Sequence, residues 1–491
     1  MSHSVRITRA DKPFAPQMPR ASHFINGSHV EPTGSVTFEV VDPARGRTLL
    51  SIRLGGAQDV NDAAVAARSA LPTWSSKTPQ ERSELLLAIA DSIANDKERL
   101  GELEALNCGK PRSVVEDDID SAIDTFRFMA GAGRTGSTIP AGDYLENTTS
   151  LILREPVGVI GLITPWNYPL LMGAWKISAA LMSGNTVVYK PSEVTPLSSL
   201  RLAELAAEIL PAGVFNLVLG NGEGVGQALS KHEEIDMVAL TGSVRAGMAV
   251  ASTIASDLKR GHLELGGKAP VVICENADLE TAADAVVEAG FWNSGQECGA
   301  ACRVIVHEAV EAEFTEKLIA KVSNYELAEP EIPGEANLGP MIYRDHYERV
   351  MEMLTDAVTR GAEVLLGGEG DDKNGFWIQP TLLKAPTGDP ITTTEVFGPV
   401  VSIETFTDLS EAVERANAVE YGLTGSVFTN DVSTALRVAK SLNFGSVNVN
   451  THLALPTEMP WSGFKHSGYG RDLSAYALED FTRTKHVAIQ Y

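Results

Sequence analysis

From residue 157 onward, short apolar runs rich in β-branched residues alternate with stretches of helical period. VGVIGLIT (157–164), TVVYK (186–190), VFNLVLG (214–220) and MVALTG (237–242) are such runs, and Thr195 with Pro196 opens one of the helical stretches between them. Continuous apolar runs separated by helices predict a doubly wound parallel sheet, whose crevice at the strand ends accepts nucleotides. PVVIC (270–274), RVIVH (303–307), VVSIETF (400–406) and SVNVN (446–450) predict strands of a second α/β unit, and EPEIPGEANLGP (329–340) reads as a loop. Ahead of these, extended and helical patterns alternate. Thr78, Pro79 and Glu81 have the form of a capping box, after which Leu85, Leu86, Ile89 and Ile93 share one helical face. Residues 1–22, polar and Pro-rich, read as a flexible arm. The last thirty residues turn from Gly-rich to Tyr, Phe, Val and Ile, which suits an edge strand seeking a partner chain.

Composition narrows the picture. At roughly 150 residues per domain, 491 residues make two or three domains. Apolar residues at 44% and charged residues at 21% are globular values, so a mainly disordered chain is excluded. The net charge of −24 repels phosphate backbones and anionic lipids, so neither nucleic acid nor a membrane surface is expected as a partner. No window approaches the ~18 consecutive apolar residues that span a bilayer, and the start lacks the apolar segment of a secretory signal. Four cysteines, Cys108, Cys274, Cys298 and Cys302, are too few for a disulfide framework and fit a reducing cytoplasm. No CxxC or paired-His segment completes a zinc set, so no metal is expected.

Several segments carry chemistry. In FWNSGQEC (291–298), glycine and asparagine break a helical pattern, which places Cys298 on a turn. A thiolate there can be stabilised by backbone N–H groups at the start of a helix; a buried packing thiol is the ordinary reading. Glu264 lies between Leu263 and Leu265 before a double glycine, and apolar surroundings raise a carboxyl toward the range a general base needs. A strand-edge Glu facing solvent fits the same letters. Thr164, Pro165, Trp166, Asn167, Tyr168 and Pro169 form a rigid loop after a strand, where the Asn167 amide suits an oxyanion hole or a structural turn. Lys190 and Glu193 follow the next strand, where the lysine can reach ribose or adenine. The acid can accept from ribose hydroxyls and would repel a 2′-phosphate. The glycine-rich stretch 220–226, including Gly222, lacks a clean GxGxxG, whereas Thr241, Gly242 and Ser243 end a strand and open a helix as a pyrophosphate cradle would.

Taken together, PWNYP, KPSE, LTGS, LELGGK, GQEC, EVFGPV (395–400) and GFKHSGYGRD (463–472) resemble the NAD(P)-dependent aldehyde dehydrogenase superfamily from about residue 24 to 491. That resemblance implies Cys298 as nucleophile, Asn167 with the Cys298 N–H as oxyanion hole, Glu264 as the base that activates water, and Lys176 as a proton relay. It implies a cofactor wall of Thr164, Pro165, Trp166, Lys190, Glu193, Gly222, Gly242, Ser243, Leu265, Glu395 and Phe397, with NAD favoured over NADP by Glu193. Glu264 separates the chain from the CoA-acylating branch, so a free acid is the expected product. Asp472 stands where many members carry Glu, which leaves its own relay role open.

The family fold adds a small β arm to the cofactor and catalytic domains. It implies a cofactor domain over 23–133 and 154–263, a catalytic domain over 264–448, and an oligomerisation arm of 134–153 with 472–491 in a homodimer or homotetramer. GDYLENTTS (142–150), GQECGAACR (295–303) and VNTHLALPTEMPWSGFKHSGYGRD (449–472) resemble 4-aminobutyraldehyde dehydrogenases of putrescine degradation, so the expected substrate is an ω-aminoaldehyde. Tyr168, Trp175, Trp292 and Trp461 can hold its ammonium by cation–π contact or simply wall an apolar channel. Glu297 adds negative charge beside the nucleophile. Asp117, Asp120 and Asp124 share the solvated face of an amphipathic helix, while Asp118, on the flank, is the amine ligand that related aminoaldehyde enzymes imply. Betaine-aldehyde, phenylacetaldehyde and broad aliphatic aldehyde dehydrogenases are the alternatives on this scaffold, and a non-catalytic scaffold protein is the alternative of another class.

Overall fold

The computed structural model describes residues 5–135, 141–334 and 337–491. The apolar runs form the strands Val159–Ile163, Thr186–Lys190, Phe215–Leu217 and Met237–Thr241. Nearly every residue in them is buried, as expected for parallel strands covered on both faces. With Arg260–Glu264 they make the parallel centre of an eight-stranded sheet, flanked by the antiparallel edges His23–Ile25, Ser28–Val30 and Gly468–Tyr469. Val159–Ile163 and Met237–Thr241 are neighbours, although Thr186–Lys190 and Phe215–Leu217 lie between them in the chain and on the other side in space. The chain therefore reverses its winding there, and the crevice above that pair opens at the carboxyl ends of the strands.

A second, seven-stranded sheet runs in the order Glu363–Leu366, Thr381–Lys384, Val400–Phe406, Arg303–His307, Pro270–Ile273, Thr424–Phe428 and Ser446–Val449, parallel except at its first pair. Each sheet has its own apolar cores. The segment Gly468–Tyr469 ties the C-terminal motif to the first sheet: Gly468 pairs with Glu264 at φ 104°, and a Cβ there would lie 2.0 Å from the Leu263 carbonyl oxygen. Only glycine permits that approach. The capping box is present, with the Thr78 N–H donating to Glu81 over 2.8 Å and the Glu81 N–H to Thr78 Oγ1 over 3.3 Å, a cap worth about 1 kcal/mol.

The arm pairs Thr148–Pro156 antiparallel with Thr482–Gln490 over nine positions, and with Gly142–Leu145 on its other side. The middle strand runs to 156, past the expected limit at 153; residues 136–140 of the expected arm segment lie outside the described residues. Thr482–Gln490 has one unpaired edge, and Tyr144, Leu145, Leu153, Ile489 and Tyr491 are exposed.

The N-terminal reading needs correction over the described part, residues 5–22. Ile7–Thr8 pairs in parallel with Glu326–Ala328, the Ala10 N–H donates to Glu329 over 2.8 Å, and Arg9 reaches both Glu329 and the Ala44 carbonyl. Val5 and Ile7 pack on the second core. A few apolar side chains and one buried acid that needs an arginine fix a segment whose composition alone reads as loose. The loop reading of 329–340 is likewise modified by the short strand Asn337–Leu338, with 335–336 outside the described residues.

Candidate active site

A cavity of about 910 Å³ opens between the carboxyl ends of the two sheets. Cys298, Asn167 and Glu264, which come from three separate segments of the chain, all line it. Cys298 is half-buried on a turn beyond the helix Leu279–Phe291, but no helix begins after it, so the expected helix-start stabilisation of a thiolate is absent. The chain reaches the turn through Asn293 and Ser294, both left-handed at φ 48° and 56°. Such backbone costs of order 1–3 kcal/mol per residue. It is held by the Asn293 amide, which donates to the Asn167 and Gln296 carbonyls, and by Ser294 Oγ, which donates to the Gly339 carbonyl over 2.9 Å. Gln296 spans the gap to the 340s, donating to the Pro340 carbonyl and accepting from the Ile342 N–H. The nucleophile's loop is therefore rigid.

The Asn167 amide donates to the Gln296 carbonyl over 3.0 Å. A primary amide has two N–H groups, so one remains for a ligand. Glu264 ends its strand almost fully buried, with both carboxyl oxygens lacking a hydrogen-bond partner among the described residues. Burial pushes its carboxyl well above the usual range, and the Asp472 charge adds to the rise. Lys176 does not line this cavity. Its buried ammonium lies 2.8 Å from Asp472 Oδ2, and His262 Nε2 lies 3.3 Å from the other Asp472 oxygen. Burial opposes ionisation of Asp472, but Lys176 and His262 outweigh it and hold the carboxyl far below its ordinary value. The expected relay lysine is thus committed to Asp472, the residue whose role the motif left open.

All the other expected residues border the cavity. At the dinucleotide end, Ser243 caps the helix Val244–Ala255, Gly242 precedes it, and the buried Thr241 hydroxyl has no hydrogen-bond partner among the described residues. Lys190 donates to the Pro191 and Gly220 carbonyls and to Glu193, so its ammonium is already satisfied by the chain. Gly222 and Leu265 complete that wall. Glu395 accepts the Gly267 N–H over 2.8 Å, and burial pushes its carboxyl up to about 7. Phe397, at φ 60°, meets the Trp166 ring edge-on at 5.2 Å beside Thr164 and Pro165.

At the other end stand Tyr168, Trp175, Trp292, Trp461, Asp118 and Glu297. Asp118 is buried and lies 2.5 Å from Lys110, which also faces Glu104 at 3.6 Å and sits 4.1 Å above the Tyr168 ring. Burial pushes the Asp118 carboxyl up to about 8 against the pull of Lys110. Asp118, expected as an amine ligand, thus lines the cavity with one carboxyl oxygen shared with Lys110. Asp117, read as part of a solvated face, is exposed yet also borders the cavity. Asp120 pairs with Lys97, and Asp124 accepts from Thr457. Glu297 faces the nucleophile, 3.2 Å from its sulfur.

Sequence reasoning missed Tyr343, His346 and Arg349, which wall the dinucleotide end, and His452, Leu453 and Leu455 at the other. Arg349 holds the Val396 and Glu395 carbonyls, and His346 donates to the Phe397 carbonyl over 2.7 Å. Their segments carry no pattern distinct from an ordinary helix or loop, although 452–455 fell within a quoted match.

The profile of the Aldehyde dehydrogenase family matches residues 29–487. Betaine aldehyde dehydrogenase of Amaranthus hypochondriacus is 37% identical over 486 residues, covering 96% of this chain and 97% of the relative. Aminoaldehyde dehydrogenase 2 of Pisum sativum is 36% identical, covering 96% of each chain. The structure of Staphylococcus aureus betaine aldehyde dehydrogenase in complex with NAD+ superposes with a TM-score of 0.93 at 35% identity, over 96% of this chain and 95% of that one. Lactaldehyde dehydrogenase of Escherichia coli gives 0.94 at 34% identity, over 97% and 100%. A family match over nearly the whole length, with thiol, amide and carboxyl converging on one cavity, leads to one conclusion: this chain belongs to the aldehyde dehydrogenase family.

Proposed function

We propose that the protein oxidises an aldehyde bearing a cationic nitrogen to its carboxylic acid, using NAD. The observation that carries this is the shared cavity of Cys298, Asn167 and Glu264, joined to a crevice of dinucleotide type. The crevice fits the cofactor: the unpartnered Thr241 hydroxyl and the first-turn N–H groups after Ser243 offer donors to a pyrophosphate, and Gly222 leaves open space. Glu193 faces the ribose end, where a carboxylate disfavours the 2′-phosphate of NADP. Bound NAD supplies the acceptor for the hydride that leaves the substrate carbon.

The chain's own residues do the rest. Cys298 attacks the carbonyl carbon, and the Asn167 N–H with the Cys298 backbone N–H receives the developing oxyanion. Glu264, buried without a partner, takes a proton from the water that cleaves the thioester, so a free acid is released.

The aromatic end supports the substrate class. Tyr168, Trp175, Trp292 and Trp461 line it with aromatic rings of the kind that hold a cation, and the nearby Lys110 pairs with Asp118 and Glu104. Asp117 adds an exposed carboxylate at the rim. Betaine aldehyde and aminoaldehydes both carry the required charge, and 4-aminobutanal is the member that the quoted segments favour. Comparing kcat/KM for 4-aminobutanal, betaine aldehyde and butanal tests this: cation–π contact of ~0.5–2 kcal/mol predicts roughly 2- to 30-fold preference for the cations. Butanal as the best substrate refutes the class. The exposed apolar arm with its open edge supports a homodimer or homotetramer, and a reducing cytoplasm is the setting that keeps all four thiols free.

A further inference from the structure

Glu297 is the residue just before the nucleophile, and its carboxylate is fixed. Oε1 lies 3.2 Å from Cys298 Sγ and accepts the Gly299 N–H over 3.2 Å, so the backbone on the far side of the cysteine holds it against the sulfur. No lysine, arginine or histidine pairs with Glu297 among the described residues. The other titratable groups around the thiol are the Glu264 and Glu395 carboxyls, the Tyr168 phenol against Glu297 with the Lys110–Asp118 pair behind it, and His452, which donates to the Gly299 carbonyl and which burial pushes down to about 4. The nucleophile therefore has an acidic environment with no cation to stabilise a thiolate. Burial and the Glu297 charge both push the thiol well above its ordinary value. A thiol so placed must lose its proton to a neighbouring base as the new bond forms.

We propose that Glu297 is a catalytic residue, the base for the acylation half of the reaction: it takes the Cys298 proton as sulfur attacks the carbonyl, leaving Glu264 to serve the water of the second half. This rests on Cys298 being the nucleophile of the proposed function. The S–H bond breaks as C–S and Glu297 O–H bonds form, the carbonyl π pair moves to oxygen, and the proton later passes from Glu297 to solvent. Each half-reaction has its own proton to remove, from the thiol in the first and from water in the second. Among the described residues Glu297 is the carboxyl hydrogen-bonded to the sulfur, and Glu264, whose oxygens have no hydrogen-bond partner there, is left for water.

The test uses full-length protein without NAD, acylated by 4-nitrophenyl acetate, whose burst of nitrophenolate reports thiol attack alone. E297Q is expected to lower the burst rate at least tenfold at pH 7 and to converge on the unmodified protein near pH 10, where hydroxide replaces the missing base. E297D should recover part of the loss, and E297A serves as a second neutral variant should E297Q fail to fold. A burst at pH 7 that is unchanged or faster in the neutral variants overturns the proposal, as does a loss of equal size at every pH, which marks a merely structural role. An unmodified protein that gives no burst overturns it too. NADH formation from aldehydes by the unmodified protein is measured in parallel: its absence with the ester burst intact rejects the dehydrogenase reading and leaves the Glu297 base standing.

Discussion

Two clusters of buried acids border or support the same cavity, and they are satisfied in opposite ways. Glu104 and Asp118 share Lys110, and Glu104 also accepts the Leu170 N–H and the Ser198 hydroxyl. Asp472 is matched by Lys176 and His262. Glu264, buried as deeply, has no hydrogen-bond partner among the described residues, and the half-buried Glu297 meets a thiol, one backbone N–H and the Tyr168 phenol, with no cation paired to it among them. An unpaired buried carboxyl costs several kcal/mol in ionised form, so folding alone does not select for it. The paired acids hold walls in place. The unpaired ones face the space where a substrate carbon and a water must sit, which is where an available lone pair is useful.

That contrast can be broken at several points. The largest effect belongs to the sulfur itself: C298A should reduce aldehyde-dependent NADH formation by about 10³-fold or more while NAD binding, followed by protein fluorescence, is retained. Intact turnover would remove the thiol from the mechanism. E264Q should leave the NADH burst and slow steady turnover by roughly 10²–10⁴-fold, the usual worth of a general base; rapid quench should then find the thioester accumulating.

The same residue carries the pH dependence. Because the Glu264 carboxyl is raised, its basic form is lost as pH falls through that raised value, well before ordinary carboxylates near ~4.3 protonate. Steady turnover should therefore climb with pH above the ordinary carboxylate range, at most about tenfold per unit, and a profile in the unmodified protein that is flat from there upward would contradict the assignment. Asp472 has the opposite shift. Its contribution to stability is present above the unfolded carboxylate value and is lost only as pH falls through the depressed folded one, so it stays charged while Glu264 titrates.

On the paired side, K110M should cost stability rather than chemistry. It strands Glu104 and Asp118 without their cation, a loss of about 3–5 kcal/mol seen as a lower midpoint in denaturant. The smallest effect is expected for D120N, whose partner Lys97 lies at the surface: about 0.5 kcal/mol or less. A large change there would mean that the acidic helix face does more than meet solvent.

Much of the scaffold was legible because strands buried on both faces must be apolar throughout. Thr186–Lys190, Arg303–His307 and Val400–Phe406 coincide with their runs, and the Thr78–Glu81 cap follows directly from residue chemistry. The convergence of Cys298, Asn167 and Glu264 on one cavity was expected from motif resemblance, and all three line the same cavity. What escaped was pairing. Nothing in the letters marks Lys110 as the partner of Asp118, or Arg9 as the partner of Glu329, because an ion pair depends on where two separate segments pack. The anchored N-terminal segment was missed for the same reason.

The sequence by itself determined the order of strands and helices, the identity of the reactive groups and the family, since these depend on local periodicity and on residue types at short spacing. Only the tertiary structure decided which acids are neutralised and which stay available. Lys176 belongs to Asp472, Lys110 to Asp118, and Glu297 to the sulfur. Charge interactions fall off over a few ångströms and are governed by burial, and both distance and burial exist only once the chain has closed on itself.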